Sequence, residues 1–245
     1  MPARERSLPS VWTRQRRQRE QPALSREQIV AEAVRLLDAE GIDALSMRRL
    51  GTRLGAAATS IYWHVNSKDE LVELVVDAAY GELEVPDAAD AADAAAWRET
   101  VTGFAHSLRS MILRHPWMAS LLPQAGLAHL GPNLMRMTER LAALTEAAGF
   151  AGREVGQAVN TVISYVLGVA TTEAAWLTTL ARAGESEREW VARLYPAAEQ
   201  AAQAYPRLRE QYAAQRGADP QQTREEDFRY GLERVLDGLE GRLKR

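Results

Sequence analysis

The chain of 245 residues contains no cysteine, which excludes disulfide bonds, thiolate zinc sites and cysteine nucleophiles. It also has no run of 18 or more apolar residues, and its arginine-rich N-terminus lacks the apolar segment of a signal peptide. We therefore predict a soluble, cytoplasmic protein that does not span a membrane. Hydrophobic residues make up 46% of the chain, which is enough for a buried core.

Signatures of catalysis are missing as well. The sequence has no His-Glu-x-x-His motif, no phosphate-binding loop and no Gly-x-Ser-x-Gly motif. The four histidines, which show no spacing typical of metal ligands, are His64, His106, His115 and His129. We predict that the protein is not an enzyme and holds no metal or cofactor. A helical-bundle enzyme without a known signature is the alternative.

Alternating polar and apolar positions, the pattern of β-strands, are scarce, whereas Ala, Leu, Glu and Arg recur with helical periodicity. A capping box at Ser25 begins a first helix that ends at Gly41. Two short helices follow over 46–55 and 58–64, and Gly55 lies in the turn between them. This arrangement is the helix-turn-helix pattern, in which the second short helix enters the major groove of DNA.

Ser67 and Glu70 form a second capping box, which begins a fourth helix. A run rich in Asp and Ala follows that helix, and the N-terminal 24 residues carry six arginines against two glutamates. We expect this basic arm to be disordered and suited to contact with phosphates. The resulting division is a basic arm over 1–24, a DNA-binding domain with the fourth helix over 25–85, a linker over 86–96 and a C-terminal domain over 97–245.

Helical periodicity resumes at Trp97 and ends before Pro116, and the residues from there to Gly131 are predicted to form a loop. Pro132 suits the first position of the next helix. Two further prolines, Pro196 and Pro206, are expected to interrupt the helical segment over 186–215. A capping box of Thr223 and Glu226 is predicted to begin the last helix.

Apolar stripes run along the longest helix, over 153–182, and along the last helix, over 223–243. We expect these two helices to pair across a twofold axis as the four-helix bundle of a homodimer. Packing within one chain only is the alternative. Gly231 and Gly238 lower the helix propensity of the last helix, which the close approach of another helix would justify.

The stretch TSIYWHV raises the question of where two aromatic residues and a histidine can go at the end of a short helix. Tyr62, Trp63 and His64 are consecutive, so on a helix they point about 100° apart and cannot all reach one small core. Ile61 and Val65 supply the buried side. We expect Tyr62 to face outward and part of Trp63 to pack against the domain.

The outward side of this stretch offers hydroxyls, a phenol and an imidazole, which can donate to phosphate oxygens or meet base edges. Lys68 begins the fourth helix, where its ammonium group and the helix N-terminus both favour a phosphate. Arg48 lies in the first turn of the second helix, and its guanidinium suits bidentate contact with guanine. The predicted DNA-binding residues are Arg48, Thr59, Ser60, Tyr62, Trp63, His64 and Lys68. Packing of the aromatic residues inside the small domain is the alternative.

The segment IVAEAVRLLDAEGIDALSMRRLGTRLGAAATSIYWHVNSKDEL, residues 29–71, resembles the tetracycline-repressor (TetR) family of bacterial transcription regulators. The most specific part is IYWHV followed by a polar pair and Lys68. Further on, RHPWM, HLGPN, SYVLG and FRYGLERVLDGLEGRL resemble the family's C-terminal regulatory domain. The resemblance implies an all-α homodimer with a three-helix DNA-binding domain, a connecting fourth helix and a C-terminal helical bundle for ligand binding and dimerisation.

This sequence departs from the tetracycline-binding members of that family. Those members have Gln-Pro where this chain has Ala58 and Thr59, which implies a different operator. His129 matches a histidine that ligates the magnesium of bound tetracycline, but Thr172 occupies the position of a glutamate that completes the site. Phe104 and Glu84 stand where the family has an asparagine and a histidine. We therefore expect an apolar or amphipathic effector instead of magnesium-tetracycline.

The twofold symmetry of such a dimer predicts a palindromic operator, and we expect a ligand in the C-terminal domain to release the protein from it. Met, Trp and apolar residues at helical spacing are the predicted ligand contacts, and plain core packing is their alternative. They are Phe104, Leu108, Met111, Trp117, Met118, Met137, Val166 and Trp176. A nonspecific, architectural DNA-binding protein is the alternative function, and it would show steep salt dependence with little difference between DNA sequences.

Overall fold

The computed structural model describes residues 24–87, 94–125 and 131–243. Across these ranges the chain forms α-helices and short 3₁₀ turns without a strand, which confirms the all-α prediction. The α-helices are α1 (Arg26–Glu40), α2 (Met47–Leu54), α3 (Ala58–Tyr62), α4 (Lys68–Tyr80), α5 (Ala94–Arg114), α6 (Met118–Ala125), α7 (Pro132–Ala147), α8 (Arg153–Ala183), α9 (Glu187–Ala201), α10 (Pro206–Ala214) and α11 (Pro220–Leu243).

Local capping groups position the helix-turn-helix. The side chain of Ser25 accepts from the backbone N–H of Gln28, and the Gln28 side chain accepts from Ser25 in return, as the capping box predicted. Ser46 caps α2 by accepting from Arg49. Gly55 ends α2 in the left-handed conformation, with φ of 64°, which confirms its predicted role.

Two predictions about α3 and α4 were wrong in detail. Helix α3 ends at Tyr62, two residues before the predicted end at His64. Ser67 caps α4, but the Glu70 carboxylate does not complete a capping box. Its Oε2 accepts instead from the backbone N–H and the side-chain amide of Asn66. These donors take the place of the Ser67 N–H, which a capping box would require.

Helix α6 occupies part of the segment that was predicted to be a loop. Pro116 does end the preceding helical pattern, but the chain turns and continues as a helix from Met118. Met118 and Leu121 are buried, and α6 packs on α8. This tertiary burial, which a single sequence does not display, outweighs the proline signal.

Proline and capping signals also misled the prediction near the C-terminal end. Pro196 lies inside α9 and does not interrupt it, because the carbonyl of Ala192, which loses its helical donor, belongs to an exposed residue and can bond to water. Pro206 does begin a new helix. Helix α11 begins at Pro220, three residues before Thr223, because Asp219 accepts from the Gln221 N–H.

The long helix α8 is the centre of the C-terminal half, and α5, α6, α7 and α11 pack on it. The apolar residues Phe228, Leu232 and Leu236 of α11 face this core. A side chain at Gly231 would collide with the Tyr165 ring of α8, so Gly231 allows the close helix approach that its position predicted. Helix α5 begins at Ala94, inside the range assigned to the linker.

Contacts between α4 and α7, and between α1 and the α5–α6 turn, join the helix-turn-helix to the C-terminal half. No helix in the described part of the chain is long and apolar enough to cross a membrane.

Candidate DNA-binding surface

The end of α3 presents its aromatic residues to solvent. Ile61 and Val65 are fully buried, as predicted, and fix the orientation of the segment between them. Tyr62 is 50% exposed and Trp63 is 87% exposed. Thr59 and His64 are also exposed, and Ser60 is half-buried. The residues selected from this stretch are therefore accessible to a partner, Ser60 only in part.

The expectation that part of Trp63 packs against the domain was wrong. Helix α3 ends at Tyr62, and the inward positions of the turn are filled by Ile61 and Val65. The indole of Trp63 consequently projects away from the core. A large apolar surface left in water at this position favours a partner that covers it.

Only one of the three arginines of α2 lacks an ionic partner among the described residues. Arg49 pairs with Glu40 of α1. Arg53 pairs with Glu32 and lies 3.6 Å from Glu40. Arg48 is exposed and makes no ion pair in the described ranges, so its guanidinium is available to a ligand.

Glu32 joins α1 to α2 inside the helix-turn-helix. Its carboxylate is mostly buried and accepts from the guanidinium groups of Arg53 and Arg35. The hydrogen bond from Arg53 lowers the pKa of Glu32 below its ordinary value. Sequence reasoning missed this residue because its partners lie on different turns and a different helix.

The start of α4 places a second cation beside this surface. Lys68 is the first residue of α4, is exposed, and has no ion pair in the described part of the chain. The neighbouring Glu70 is held by Asn66 and by Arg26 at 2.6 Å, so it does not neutralise Lys68. Hydrogen bonds from Asn66 lower the pKa of Glu70 and keep that carboxylate ionised.

Asp77 of α4 caps the first turn of α7. Its carboxylate accepts from the backbone N–H of Asn133 at 3.0 Å and of Leu134 at 3.1 Å. The Asn133 side chain donates to the Asp77 carbonyl at 2.9 Å, and Gly131 lies against the same carboxylate. A displacement of α7 would therefore be transmitted to α4.

A second contact joins α1 to the turn between α5 and α6. His115 is buried, and its Nδ1 lies 2.7 Å from Asp38 of α1 while its Nε2 lies 3.1 Å from Glu82. Trp117 donates from Nε1 to the same Asp38 oxygen at 2.7 Å. His115 and Trp117 therefore tie the turn between α5 and α6 to Asp38 of α1.

The residues predicted to bind a ligand do not line one open site. The seven that are buried are Phe104, Leu108, Met111, Trp117, Met118, Met137 and Val166. Trp117 faces α1, as described above. Trp176 is half-buried, donates to Glu187 at 3.1 Å and packs on Trp190 at 4.3 Å between ring centroids. Two of the predicted tryptophans therefore contact different elements, Trp117 on α1 and Trp176 on α9.

Sequence reasoning also missed an ion network that joins α5, α8 and α11. Arg109 is buried and binds Glu173 through two hydrogen bonds, at 2.8 and 3.0 Å. Arg224 donates to Glu173 at 2.8 Å, and Arg109 also reaches Glu225. The hydrogen bond from Arg109 lowers the pKa of Glu225 below its ordinary value. Glu173 follows Thr172 in sequence, and only the structure shows that Glu173 is buried whereas Thr172 is exposed.

The groups noted for the tetracycline-type site fall in different parts of the molecule. Thr172 is exposed on α8, Glu84 is exposed after α4, and Phe104 is buried in α5. His129 and the arm over 1–23 lie outside the described residues. Across the described ranges, no group of three His, Asp or Glu residues is arranged to hold a metal ion.

Within the described residues, a three-helix unit presents an exposed aromatic turn and two cations without ion pairs, and α4 joins it to a helical bundle. This arrangement is typical of a helix-turn-helix DNA-binding regulator. Residues 29–75 match the model of the bacterial regulatory proteins of the tetR family, and residues 90–243 match the tetracyclin repressor-like C-terminal domain. The chain belongs to the TetR family of transcriptional regulators, as its resemblance predicted.

Individual relatives support this assignment. An HTH-type transcriptional regulator of Saccharopolyspora erythraea is 40% identical over 68% of this chain and 69% of its own length. The transcriptional repressor DrrR1 of Streptomyces coeruleorubidus is 30% identical over 96% of this chain and 85% of its own length. The crystal structure of ActR from Streptomyces coelicolor in complex with actinorhodin has a TM-score of 0.73 at 30% identity, and covers 92% of this chain and all of the ActR chain.

Proposed function

We propose that this protein is a ligand-responsive repressor that binds a palindromic operator as a homodimer and releases it when a small apolar or amphipathic molecule binds the C-terminal half. The observation that carries the proposal is the surface formed by Arg48, Tyr62, Trp63 and Lys68. Its two cations lack ionic partners in the described part of the chain, and its aromatic groups lie in water. The relative DrrR1 is a transcriptional repressor, which supports the repressor role. The similar protein ActR was crystallised in complex with actinorhodin, which supports the response to a ligand.

Each group of this surface suits a different part of the operator. Arg48 can make the bidentate contact that distinguishes guanine in the major groove. Thr59, Ser60, Tyr62 and His64 can donate to phosphates or base edges, and the Trp63 ring can cover sugar and phosphate surface. Lys68 neutralises a phosphate at the start of α4. The basic arm over 1–24 would add phosphate contacts.

A homodimer through α8 and α11 requires faces that the single chain leaves open. Phe228, Leu232 and Leu236 of the α11 stripe are buried within one chain, so the remaining, less buried faces of α11 would supply its part of the dimer contact. The outward face of α8 carries small residues at intervals of four, namely Gly156, Asn160, Ser164, Gly168 and Thr172, and all of them are exposed. On α11, a side chain at Gly238 would meet nothing within 4 Å. These faces allow two backbones to approach closely.

Coupling between ligand and operator follows from the helix contacts. A ligand that separates α5, α7 and α8 would move the N-terminus of α7, which Asp77 ties to α4. The tilt of α4 sets the separation of the two recognition helices in the dimer. A ligand shifts the equilibrium between two dimer geometries only if it binds one of them better than the other. By linkage, DNA then weakens ligand binding by the same factor by which the ligand weakens DNA binding.

Selection of binding sites from random double-stranded DNA tests the proposal. We expect the recovered sequences to share a palindrome with half-sites one helical turn or a multiple apart, as twofold symmetry requires. Recovery of unrelated sequences with equal affinity would identify an architectural DNA-binding protein instead.

A further inference from the structure

A cleft lies between the DNA-binding helices and the C-terminal half, beside the contact of Asp77 with α7. Helix α4 supplies most of the lining of this joint cleft, and Arg26 of α1 and the start of α7 supply the rest. Its volume is about 290 Å³, close to the lower end of the range for small-molecule sites. A molecule bound there would contact both halves of the chain.

The joint cleft carries an excess of negative charge. Its lining has one arginine and three carboxylates, which belong to Glu70, Glu73 and Asp77, so its net charge is −2. Arg26 compensates Glu70 at 2.6 Å, and Asp77 accepts from two backbone N–H groups at the N-terminus of α7. Glu73 is exposed and has no ionic partner in the described part of the chain. One carboxylate of the cleft therefore remains available to a cation.

Tyr80 is a buried polar residue of the same cleft. It is 7% exposed, and its hydroxyl makes no hydrogen bond to the described residues. Across those residues, Trp97 Nε1 is the only fully buried side-chain donor or acceptor without a partner, so the Tyr80 hydroxyl is not sealed inside the core. The joint cleft, which Tyr80 lines, is open space that the hydroxyl can reach. Burial raises the pKa of Tyr80 to about 12, so the hydroxyl keeps its proton and can donate.

Helical spacing orders these groups along the cleft. Glu73, Asp77 and Tyr80 follow one another at intervals of four and three residues, so they share one face of α4. Glu73 and Tyr80 are about 10 Å apart along the helix axis. Leu74 and Leu134 add apolar surface to the lining. The cleft thus offers a free carboxylate at an exposed position, apolar surface, and a free hydroxyl at a buried position.

We propose that the joint cleft binds an amphipathic organic cation, whose protonated amine pairs with Glu73 and whose carbonyl oxygen, at the far end of the molecule, accepts from the Tyr80 hydroxyl. This site is separate from the effector site proposed in the C-terminal half and does not depend on that proposal. An ammonium group only donates, which matches a free carboxylate, and a carbonyl only accepts, which matches a free phenol. A metal ion is disfavoured as the occupant, because no group of three His, Asp or Glu residues in the described ranges is arranged to hold one.

The test uses three small molecules of matched shape and the full-length protein without DNA. 2-(4-Acetylphenyl)ethylamine carries both the ammonium group and the carbonyl. 2-(4-Acetylphenyl)ethanol lacks the charge, and 2-(4-isopropenylphenyl)ethylamine lacks the carbonyl oxygen. Equilibrium dialysis at neutral pH and low salt measures their affinities for wild type, Glu73→Gln and Tyr80→Phe. The matched controls are Asp69→Asn, an exposed carboxylate of α4, and Tyr205→Phe, an exposed tyrosine, because neither residue lines the cleft.

We expect wild type to bind the keto amine roughly fivefold more tightly than either of the other two molecules. Glu73→Gln should abolish the preference for the amine over the alcohol, because the neutral amide no longer attracts the charge. Tyr80→Phe should abolish the preference for the ketone over the alkene, because it removes the donor. Both preferences should persist in the two controls.

Three results would each overturn the inference. They are failure of the keto amine to bind wild type, equal affinities of the three molecules for wild type, and persistence of a preference in the variant that should abolish it. Glu73 is exposed, so Glu73→Gln keeps the fold and decides the question even if Tyr80→Phe is destabilised. Operator selection uses none of these molecules, so failure here leaves the DNA-binding proposal standing.

Discussion

At the scale of single residues, the carboxylates of α1 decide which arginines of α2 remain available to a partner. Glu40 and Glu32 engage Arg49 and Arg53, so those two side chains hold the domain together. Arg48 is exposed and pairs with neither carboxylate. Of the three arginines of α2, two thus have a structural role and one is a candidate for contact with a base.

Lys68→Ala tests the phosphate contact at the start of α4. We expect affinity to fall by a similar factor on specific and random DNA, because a phosphate contact carries no sequence information. The slope of log affinity against log salt concentration should fall by about one. Fluorescence anisotropy at several salt concentrations measures both quantities. Arg207→Ala, which removes an exposed charge from α10, is the control and should change neither; an unchanged slope in Lys68→Ala would remove its assigned role.

Glu32→Gln tests the ion pair between α1 and α2. Because the folded pKa of Glu32 is lowered, its contribution is complete above the unfolded pKa of about 4.3 and is lost as the pH falls through the folded value. We expect the variant to lower the free energy of unfolding by about 1 to 3 kcal/mol at pH 7 and by less at pH 3. Urea titrations at the two pH values measure this difference. Glu73→Gln, an exposed carboxylate of α4, should have little effect; an equal loss at both pH values would contradict the assignment.

At the scale of helices, the α2–α3 turn depends on a close backbone approach at Gly51. A side-chain carbon there would lie 2.7 Å from the Ala56 carbonyl oxygen and 3.2 Å from the Ala58 nitrogen. These are backbone atoms, so they cannot rotate away. The angle between α2 and α3, and with it the position of Tyr62, follows from this contact.

Gly51→Ala should therefore destabilise the domain despite the higher helix propensity of alanine. We expect a net loss of about 1 to 2 kcal/mol in urea denaturation, together with weaker DNA binding. Gly103→Ala in α5 is a matched control, because a side chain there meets nothing within 4 Å. It should be stabilised by up to about 1 kcal/mol. Stabilisation by both substitutions would show that the turn relaxes without cost.

The elements also show what the sequence could and could not predict. Helix starts that depend on a nearby side chain, at Ser25 and Ser46, were predicted correctly because donor and acceptor are close in sequence. Helix α6 and the continuous α9 through Pro196 were missed because burial or solvent exposure decides them. Neither property is visible in a single sequence.

The same distinction applies to the candidate site. The inward positions of Ile61 and Val65 follow from local periodicity, and with them the outward position of Tyr62. The partners of Arg53 and Arg109 lie on other helices, 21 and 64 residues away in sequence, so their ion pairs could not be predicted. The 87% exposure of Trp63 likewise depends on where α3 ends.

At the scale of the whole molecule, two recognition helices can match a palindrome only in a dimer. Gly168→Arg on the open face of α8 should break the proposed dimer and leave the single chain folded, since a side chain there meets nothing within 4 Å of its own chain. Sedimentation velocity should give a dimer for wild type and a monomer for the variant, with unchanged circular dichroism. Gly103→Arg is the matched control and should remain a dimer. A dimeric Gly168→Arg variant would place the interface elsewhere.

The most direct measurement of the central claim compares affinities for the selected operator and for scrambled DNA in wild type, Arg48→Ala and Arg49→Ala. We expect Arg48→Ala to lose about 1 to 3 kcal/mol on the operator, with relaxed preference at one base pair and little change on scrambled DNA. Arg49→Ala should affect both DNAs equally, because Arg49 pairs with Glu40. Equal losses for Arg48→Ala on operator and scrambled DNA would contradict the claim that this surface recognises a sequence.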